Sequence, residues 1–228
     1  MKKYYEAYED RYKIVHNKGF LWETHKQTLE INKIINKYNI NKKAYILDLG
    51  CGEGRDAIYL LNKGYNVYAL DYSKSAILMC NKLTNNVYKD KFFSFDIFKD
   101  ELTKKFDFIY SIAVIHMFVD DNDRNKFYKF IYDHLRDNGI ALVISMGNGI
   151  NEIKTNTEDA FKYITRNNIN NNMNIKVPMT SCRVKNMFSM IEEINNNNFE
   201  IIYNGIKTDL PCFNKCMMFL IKKRLTKI

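Results

Sequence analysis

Residues 44–56 read Ala44-Tyr45-Ile46-Leu47-Asp48-Leu49-Gly50-Cys51-Gly52-Glu53-Gly54-Arg55-Asp56, an apolar run that breaks into three glycines at alternate positions. The pattern is that of a buried strand, a tight turn and the first turn of a helix. Gly50, Gly52 and Gly54 carry no side chain, so the backbone can adopt positive φ and a ligand can lie against bare peptide groups facing the start of the helix. The turn is a cradle for a nucleotide-like ligand. A second β-like run, Asn66-Val67-Tyr68-Ala69-Leu70-Asp71, follows a short helical stretch from Arg55 to Lys63 closed by Gly64. It ends in an acid about 20 residues after the first glycine, where a carboxylate meets ribose hydroxyls.

The glycine spacing selects among ligands. A dinucleotide fingerprint is G-x-G-x-x-G, whereas here the third glycine comes one residue early and Asp48 stands two residues before the first. D-x-G-x-G-x-G resembles motif I of the class I S-adenosylmethionine (SAM) dependent methyltransferases. The run from Asp48 to Asp56, followed by Tyr59-Leu60 and Gly64-Tyr65-Asn66-Val67, is most similar to their tellurite-resistance and thiopurine methyltransferase-like branch, over residues 44–224. The resemblance implies an α/β, Rossmann-like seven-stranded sheet, mostly parallel with an antiparallel last strand, and helices on both faces. It also implies methyl transfer from SAM to a small molecule, with S-adenosylhomocysteine as product. Gly50, Cys51, Gly52 and Gly54 would lie beneath the amino-acid end of SAM, Asp48 near its ammonium, and Arg55 and Asp56 around its methionine end. Arg136-Asp137-Asn138-Gly139, before the fifth strand, departs from the family's usual Lys-Pro-Gly-Gly, a change confined to a turn.

Composition narrows the alternatives. The 228 residues suit one α/β domain plus an extension, which gives a helical extension or lid over residues 1–43 and a SAM-binding domain over 44–228. With 46% hydrophobic and 14% aromatic residues the chain is not a disordered one, and no apolar run approaches the ~18 residues that cross a bilayer. Met1-Lys2-Lys3 leads into no apolar stretch, so no secretory signal is expected and a cytoplasmic location is. The five cysteines show no ligand spacing; they read as reduced thiols and no metal is expected. Cys51 is either a small filler or a nucleophile. The net charge of +9 is spread along the chain, and only Lys215–Ile228 is basic without an acid, so nucleic acid is not the expected partner. A monomer or homodimer remains open.

Along the chain, Tyr4, Tyr8, Tyr12 and His16 recur every four residues on one helix face, beside Tyr5 and Arg11. The stripe is either a docking face or a lid whose rings attract a sulfonium. Trp22, after the Gly19 turn, is either an anchor or a wall of the pocket. Residues 23–38 read as another amphipathic helix, with Leu29, Ile31, Ile34 and Ile35 inward. Beyond Asp71, Tyr72 stands next to the ribose position and Ser73 is the N-cap of a helix to about Leu83. Phe92–Ile97 reads as a third strand with Asp96 placed for an adenine amino group and Ile97 beside it. Phe106–Ile112 is the fourth, and Ser111, Ile112 and His116 are expected on the active-site floor. His116 is either a general base of near-neutral pKa or a wall residue. The segment lacks the Asp/Asn-Pro-Pro-Tyr/Phe of base-amine methyltransferases.

A helix over 121–137 closed by Gly139, a strand over 140–146, an Asn-rich excursion over 147–182 expected above the pocket with substrate determinants, a helix over 183–195 and an antiparallel pair over 199–207 and 213–223 complete the pattern, with Asp209-Leu210-Pro211 as the turn between the last two. Methyl transfer from a sulfonium is an in-line displacement that needs alignment, exclusion of water and removal of any acceptor proton. His116, Tyr8 and Tyr12, then Tyr110 and His16, are the candidates for touching the acceptor. An RNA-directed methyltransferase, a non-catalytic SAM-binding module and a dinucleotide oxidoreductase are the competing readings.

Overall fold

The structure is a computed structural model that describes residues 2–24, 26–208, 210 and 214–224. After a single tight turn at Tyr4–Glu6 come α1 (Ala7–Asn17) and α2 (Leu29–Lys37), then β1 (Tyr45–Leu49), α3 (Arg55–Asn62), β2 (Asn66–Asp71), α4 (Lys74–Leu83) and β3 (Phe92–Ser94). The chain continues through β4 (Phe106–Ile112), α5 (Asp121–His134), β5 (Leu135–Met146), β6 (Ile153–Lys154), β7 (Tyr163–Asn167), β8 (Asn174–Pro178) and β9 (Arg183–Val184). It closes with α6 (Met187–Asn196), β10 (Phe199–Lys207) and β11 (Cys216–Lys223).

Seven strands form one sheet in the order β10-β11-β5-β4-β1-β2-β3, with β11 antiparallel to both its neighbours and the other pairings parallel. This is the α/β, Rossmann-like sheet that the resemblance to class I methyltransferases implies. Both faces are covered, so the central strands are apolar throughout. Side chains alternate across β1: Leu47 and Leu49 join Phe127, Ile131 and Met190 on one face, and Ile46 joins Ile34, Leu60 and Leu220 on the other. The chain runs outward from β1 through β2 to β3 and then returns to β4 on the other side of β1. That reversal opens a crevice beyond the carboxyl ends of β1, β2 and β4.

Several boundaries differ from the sequence expectation for local reasons. The second helix begins at Leu29 rather than at residue 23, because Thr28 is held as its extended N-cap by Asp56, whose carboxylate accepts the Thr28 N–H (2.6 Å) and hydroxyl (2.9 Å). Leu29 consequently faces outward, 49% exposed. β3 stops at Ser94, and Asp96 sits in the turn beyond, accepting the Phe98 N–H. α5 ends at His134, whose ring bridges the carbonyls of Phe130 and Leu102 at 2.7 Å each, and the next residue is already extended and paired with Phe106. Gly139 therefore lies inside β5 instead of closing a helix. α6 starts at Met187, capped by the Asn186 side chain, because Arg183 and Val184 pair with β6. The Asn-rich excursion contains the antiparallel β7–β8 hairpin. Asp209 and Pro211 of the expected turn, Phe213 at the start of the expected last strand and residues 225–228 of the basic tail lie outside the described residues.

Two features fix the loop after β4 against the sheet. Arg124 of α5 is fully buried; its Nε donates to both oxygens of Glu193 (3.0 and 3.1 Å) and its Nη1 to the carbonyls of Ile115 and Phe118. Tyr4 donates to Asp123 (2.8 Å) and accepts the Val119 N–H (3.0 Å), so the first residues of the chain pack into the same core as α5. Among the described residues no helix is long and apolar enough to cross a membrane.

Candidate active site

The crevice is a cavity of about 630 Å³, within the range of small-molecule sites. Its floor begins at the glycine turn. Gly50 has φ +80, and a Cβ there would overlap the Val114 side chain; Gly52 has φ +53, and a Cβ there would overlap the Glu23 carboxylate. Glycine is thus required twice over, by backbone conformation and by close approach. Ala113, at the end of β4, holds φ +62 to bring Val114 over Gly50, an unusual conformation for a residue with a side chain.

Asp71 ends β2 facing this turn. One carboxylate oxygen accepts the Gly52 N–H (2.8 Å) and the other the Ser73 N–H (2.7 Å), leaving each oxygen further lone-pair capacity toward the cavity. Burial raises its pKa to about 6 in spite of those two bonds. Asp48 is pushed up well above the usual carboxylate range, first by burial and then by the nearby Asp56. Arg55 donates to Asp56 (2.9 Å) and to the Thr28 hydroxyl (3.2 Å). Tyr72, Asp96 and Ile97 line the cavity beyond β2 and β3, with the Lys99 ammonium 3.1 Å from Asp96.

The roof comes from distant stretches. Tyr8, Arg11 and Tyr12 of α1 and Trp22 beyond it line the cavity together with residues 166–169 and with Met179, Thr180 and Cys182. Tyr8 donates to the Ser181 carbonyl (3.2 Å), and the Asn168 side chain donates to the Leu21 carbonyl (2.7 Å). The roof is fastened to the glycine turn by Glu53, whose carboxylate accepts the backbone N–H groups of Trp22 and Glu23, each at 2.8 Å, and lies 2.6 Å from His16 Nε2. Tyr12 donates to Glu23 (2.6 Å), and burial drives the Glu23 carboxyl up to about 7.

Of the residues singled out in the sequence, Tyr8, Tyr12, Trp22, Asp48, Gly50, Cys51, Arg55, Asp71, Tyr72, Asp96, Ile97, Ile112 and His116 line one cavity. Gly52, Gly54 and Ser111 do not. Gly52 is covered by Glu23, Gly54 begins α3 behind the turn, and Ser111 points between strands to donate to the Leu49 carbonyl (2.7 Å). Tyr110 is buried in the sheet core, Tyr4 in the α5 core, and His16 is spent on Glu53. The near-neutral option for His116 fails: burial, with the Arg124 charge added, lowers its pKa to about 4, so the imidazole is neutral at pH 7 and a weak proton acceptor. Burial first, and then the neighbouring Cys80, pushes the Cys51 thiol well up, which suits a filler rather than a nucleophile.

Sequence reasoning missed Glu23 and did not single out Arg166 or Thr180 within the excursion above the pocket; Ala113 falls inside the stretch expected on the floor. Within the β7–β8 part of the roof, only β8 carried a usable signal: Ile175 and Val177 alternate with Lys176 and are buried against Val15.

A family model described as Tellurite resistance protein TehB matches residues 9–172, from the roof helix through the glycine turn and β5 to the β7–β8 hairpin. The chain belongs to the TehB family. Among curated relatives of this TehB-family chain, the probable S-adenosyl-L-methionine-dependent methyltransferase TehB of Haemophilus influenzae is 26% identical over 113 residues, 49% of this chain and 39% of that protein. The ubiquinone biosynthesis O-methyltransferase of Rickettsia prowazekii is 32% identical over 122 residues, 51% of this chain and 45% of that protein. The aligned part thus spans about two-fifths of the length of these relatives. A crystal structure of Burkholderia thailandensis 1,6-didemethyltoxoflavin-N1-methyltransferase, with bound 1,6-didemethyltoxoflavin and S-adenosylhomocysteine, shares the fold. It is 15% identical, covers 96% of this chain and 88% of that one, and has a TM-score of 0.69.

Proposed function

We propose that this TehB-family chain is a SAM-dependent methyltransferase that moves the methyl group of SAM to a small-molecule acceptor by in-line displacement. One observation carries the reading: the acids Asp48, Asp56, Asp71 and Glu23 surround a glycine turn at the switch point of the sheet, with Arg55 among them. A ligand with an ammonium, a sulfonium, a carboxylate and a ribose diol matches that donor set. The spare lone pairs of Asp71 suit the diol, the acids suit the two cations, and Arg55 suits the carboxylate. Tyr72, Ile97 and Asp96 are the residues to hold the adenine.

SAM supplies an activated methyl group on a positively charged sulfur. The chain's own work is then orientation and exclusion of water, by Tyr8, Tyr12 and Trp22 above and Ile112 and His116 below. Neutral His116 serves as a wall. Residues 1–43 act as the lid of the 44–228 domain, the protein works in the cytoplasm as a monomer or homodimer, and its acceptor is a small molecule rather than nucleic acid.

The test is calorimetric titration with S-adenosylhomocysteine against NAD, followed by transfer of label from SAM to a small-molecule panel and to total tRNA. The expected result is binding of the homocysteine nucleoside alone and label in small molecules. A folded sample that ignores both SAM and its demethylated product overturns the reading; label in tRNA only overturns the small-molecule part.

A further inference from the structure

The roof carries a charge that no ion pair among the described residues balances. Arg11 is only 8% exposed, yet its partners are all uncharged: Nη2 donates to the carbonyls of Pro178 (3.0 Å) and Met179 (2.9 Å) and to the Thr180 hydroxyl (2.8 Å). Its Nε is buried with no acceptor. The guanidinium lies 4.8 Å from the Trp22 ring centre and 5.3 Å from that of Tyr8, so two aromatic faces fix its position at the cavity wall. Arg166 of β7 also lines the cavity, and among the described residues its guanidinium makes no hydrogen bond or ion pair. Burial holds the Arg11 pKa below its usual value, and the charge of Arg166 is close enough to lower it further.

A buried cation without a counter-charge is costly, and a second cation facing it adds repulsion. The carboxylates lining the cavity lie at the glycine turn, where Arg55 already has Asp56, and beyond β3, where Asp96 has Lys99. Two guanidinium groups over an open cavity form a fork for a planar or tetrahedral anion. We propose that Arg11 and Arg166 recognise an anionic group, a carboxylate or a phosphate, on the methyl acceptor, with the Trp22 and Tyr8 rings beside the body of that molecule. The inference rests on the methyltransferase reading for the word acceptor; the anion site itself does not.

Trp22 is the sole tryptophan and touches Arg11, so its fluorescence reports on the site. The wild-type chain is titrated with 4-aminobenzoate, 4-aminobenzamide and phenyl phosphate, with and without saturating S-adenosylhomocysteine, and calorimetry follows the nucleoside separately. One of the two anions is expected to bind about tenfold or more tighter than the amide, the better one naming the group. Arg166→Gln should erase that preference, Arg166→Lys should keep part of it, and neither should alter S-adenosylhomocysteine affinity. Because Arg166 is exposed and makes no hydrogen bond or ion pair among the described residues, these variants are expected to fold as the wild type does. Binding of both anions no tighter than the amide, absence of any saturable response at millimolar anion, or an equal loss of nucleoside binding in Arg166→Gln overturns the proposal; the last result would give the pair to the donor's own carboxylate. A chain that binds the anions but not the nucleoside refutes the methyltransferase reading and leaves the anion site standing.

Discussion

The floor and the roof of the crevice are built in opposite ways. The floor is local: the acids and glycines of residues 48–56 and Asp71 meet because β1 and β2 pair in register, Leu49 opposite Leu70. The roof is non-local: Arg11 reaches Thr180 and Tyr8 reaches Ser181 across most of the chain. The floor is acidic and backbone-rich, the roof cationic and aromatic. A ligand with charges of both signs, or two ligands side by side, suits such a cavity; the contrast is between recognising a donor by backbone shape and recognising an acceptor by side chains.

The sharpest way to break this contrast is to remove residues 1–22. Because Tyr4, Tyr5, Ala7, Tyr12 and Val15 are buried, truncation is expected to take several kcal/mol from folding as well as the roof from the cavity. A truncated chain that melts as the full one does would make the roof a detachable lid. Gly52→Val comes next. A branched side chain at φ +53, against the Glu23 carboxylate, should weaken S-adenosylhomocysteine binding roughly 100-fold while a cooperative melt remains, and unchanged calorimetry would count against the glycine turn as the floor.

Asp71→Ala should cost about 1 to 3 kcal/mol of nucleoside affinity, through a lost charge-assisted contact and the freed Gly52 and Ser73 N–H groups. Titrations at fixed pH decide it. The smallest effect is one of pH. Glu23 and Asp71 both have pKa values raised by burial, to about 7 and about 6. In the ligand-free chain each therefore adds stability while protonated, and that stability is lost as pH rises through 6 and 7. A cationic ligand prefers them ionised, so its affinity should rise over the same window. Glu23→Gln should shallow that rise; an identical slope in the variant would assign it elsewhere.

The same division explains what could be read from the chain. D-x-G-x-G-x-G and Asp71 report a strand, a turn and an acid within one short stretch; the floor follows from that unit, and the sheet from the family resemblance it carries. The roof needs the pairing of β7 with β8, and nothing in Tyr163–Asn167 alternates strongly enough to announce it. Glu23 sits in a stretch whose helical pattern is broken by a distant partner, Asp56. The Tyr4-Tyr8-Tyr12-His16 repeat is a real stripe with divided duties, because four-residue steps drift around a helix: Tyr4 enters the core, Tyr8 and Tyr12 meet the cavity, and His16 meets Glu53.

Asp71 has a longer reach than its place at the end of β2 suggests. It holds the Ser73 backbone, the Ser73 hydroxyl donates to Glu9 of α1 (2.6 Å), and Ser75 holds the other Glu9 oxygen (2.7 Å). That acid is therefore the first link of a short relay of side chains ending in the helix that carries Arg11. Floor and ceiling share one continuous run of hydrogen bonds, so a single carboxylate at the end of a strand is anchored to both halves of the crevice.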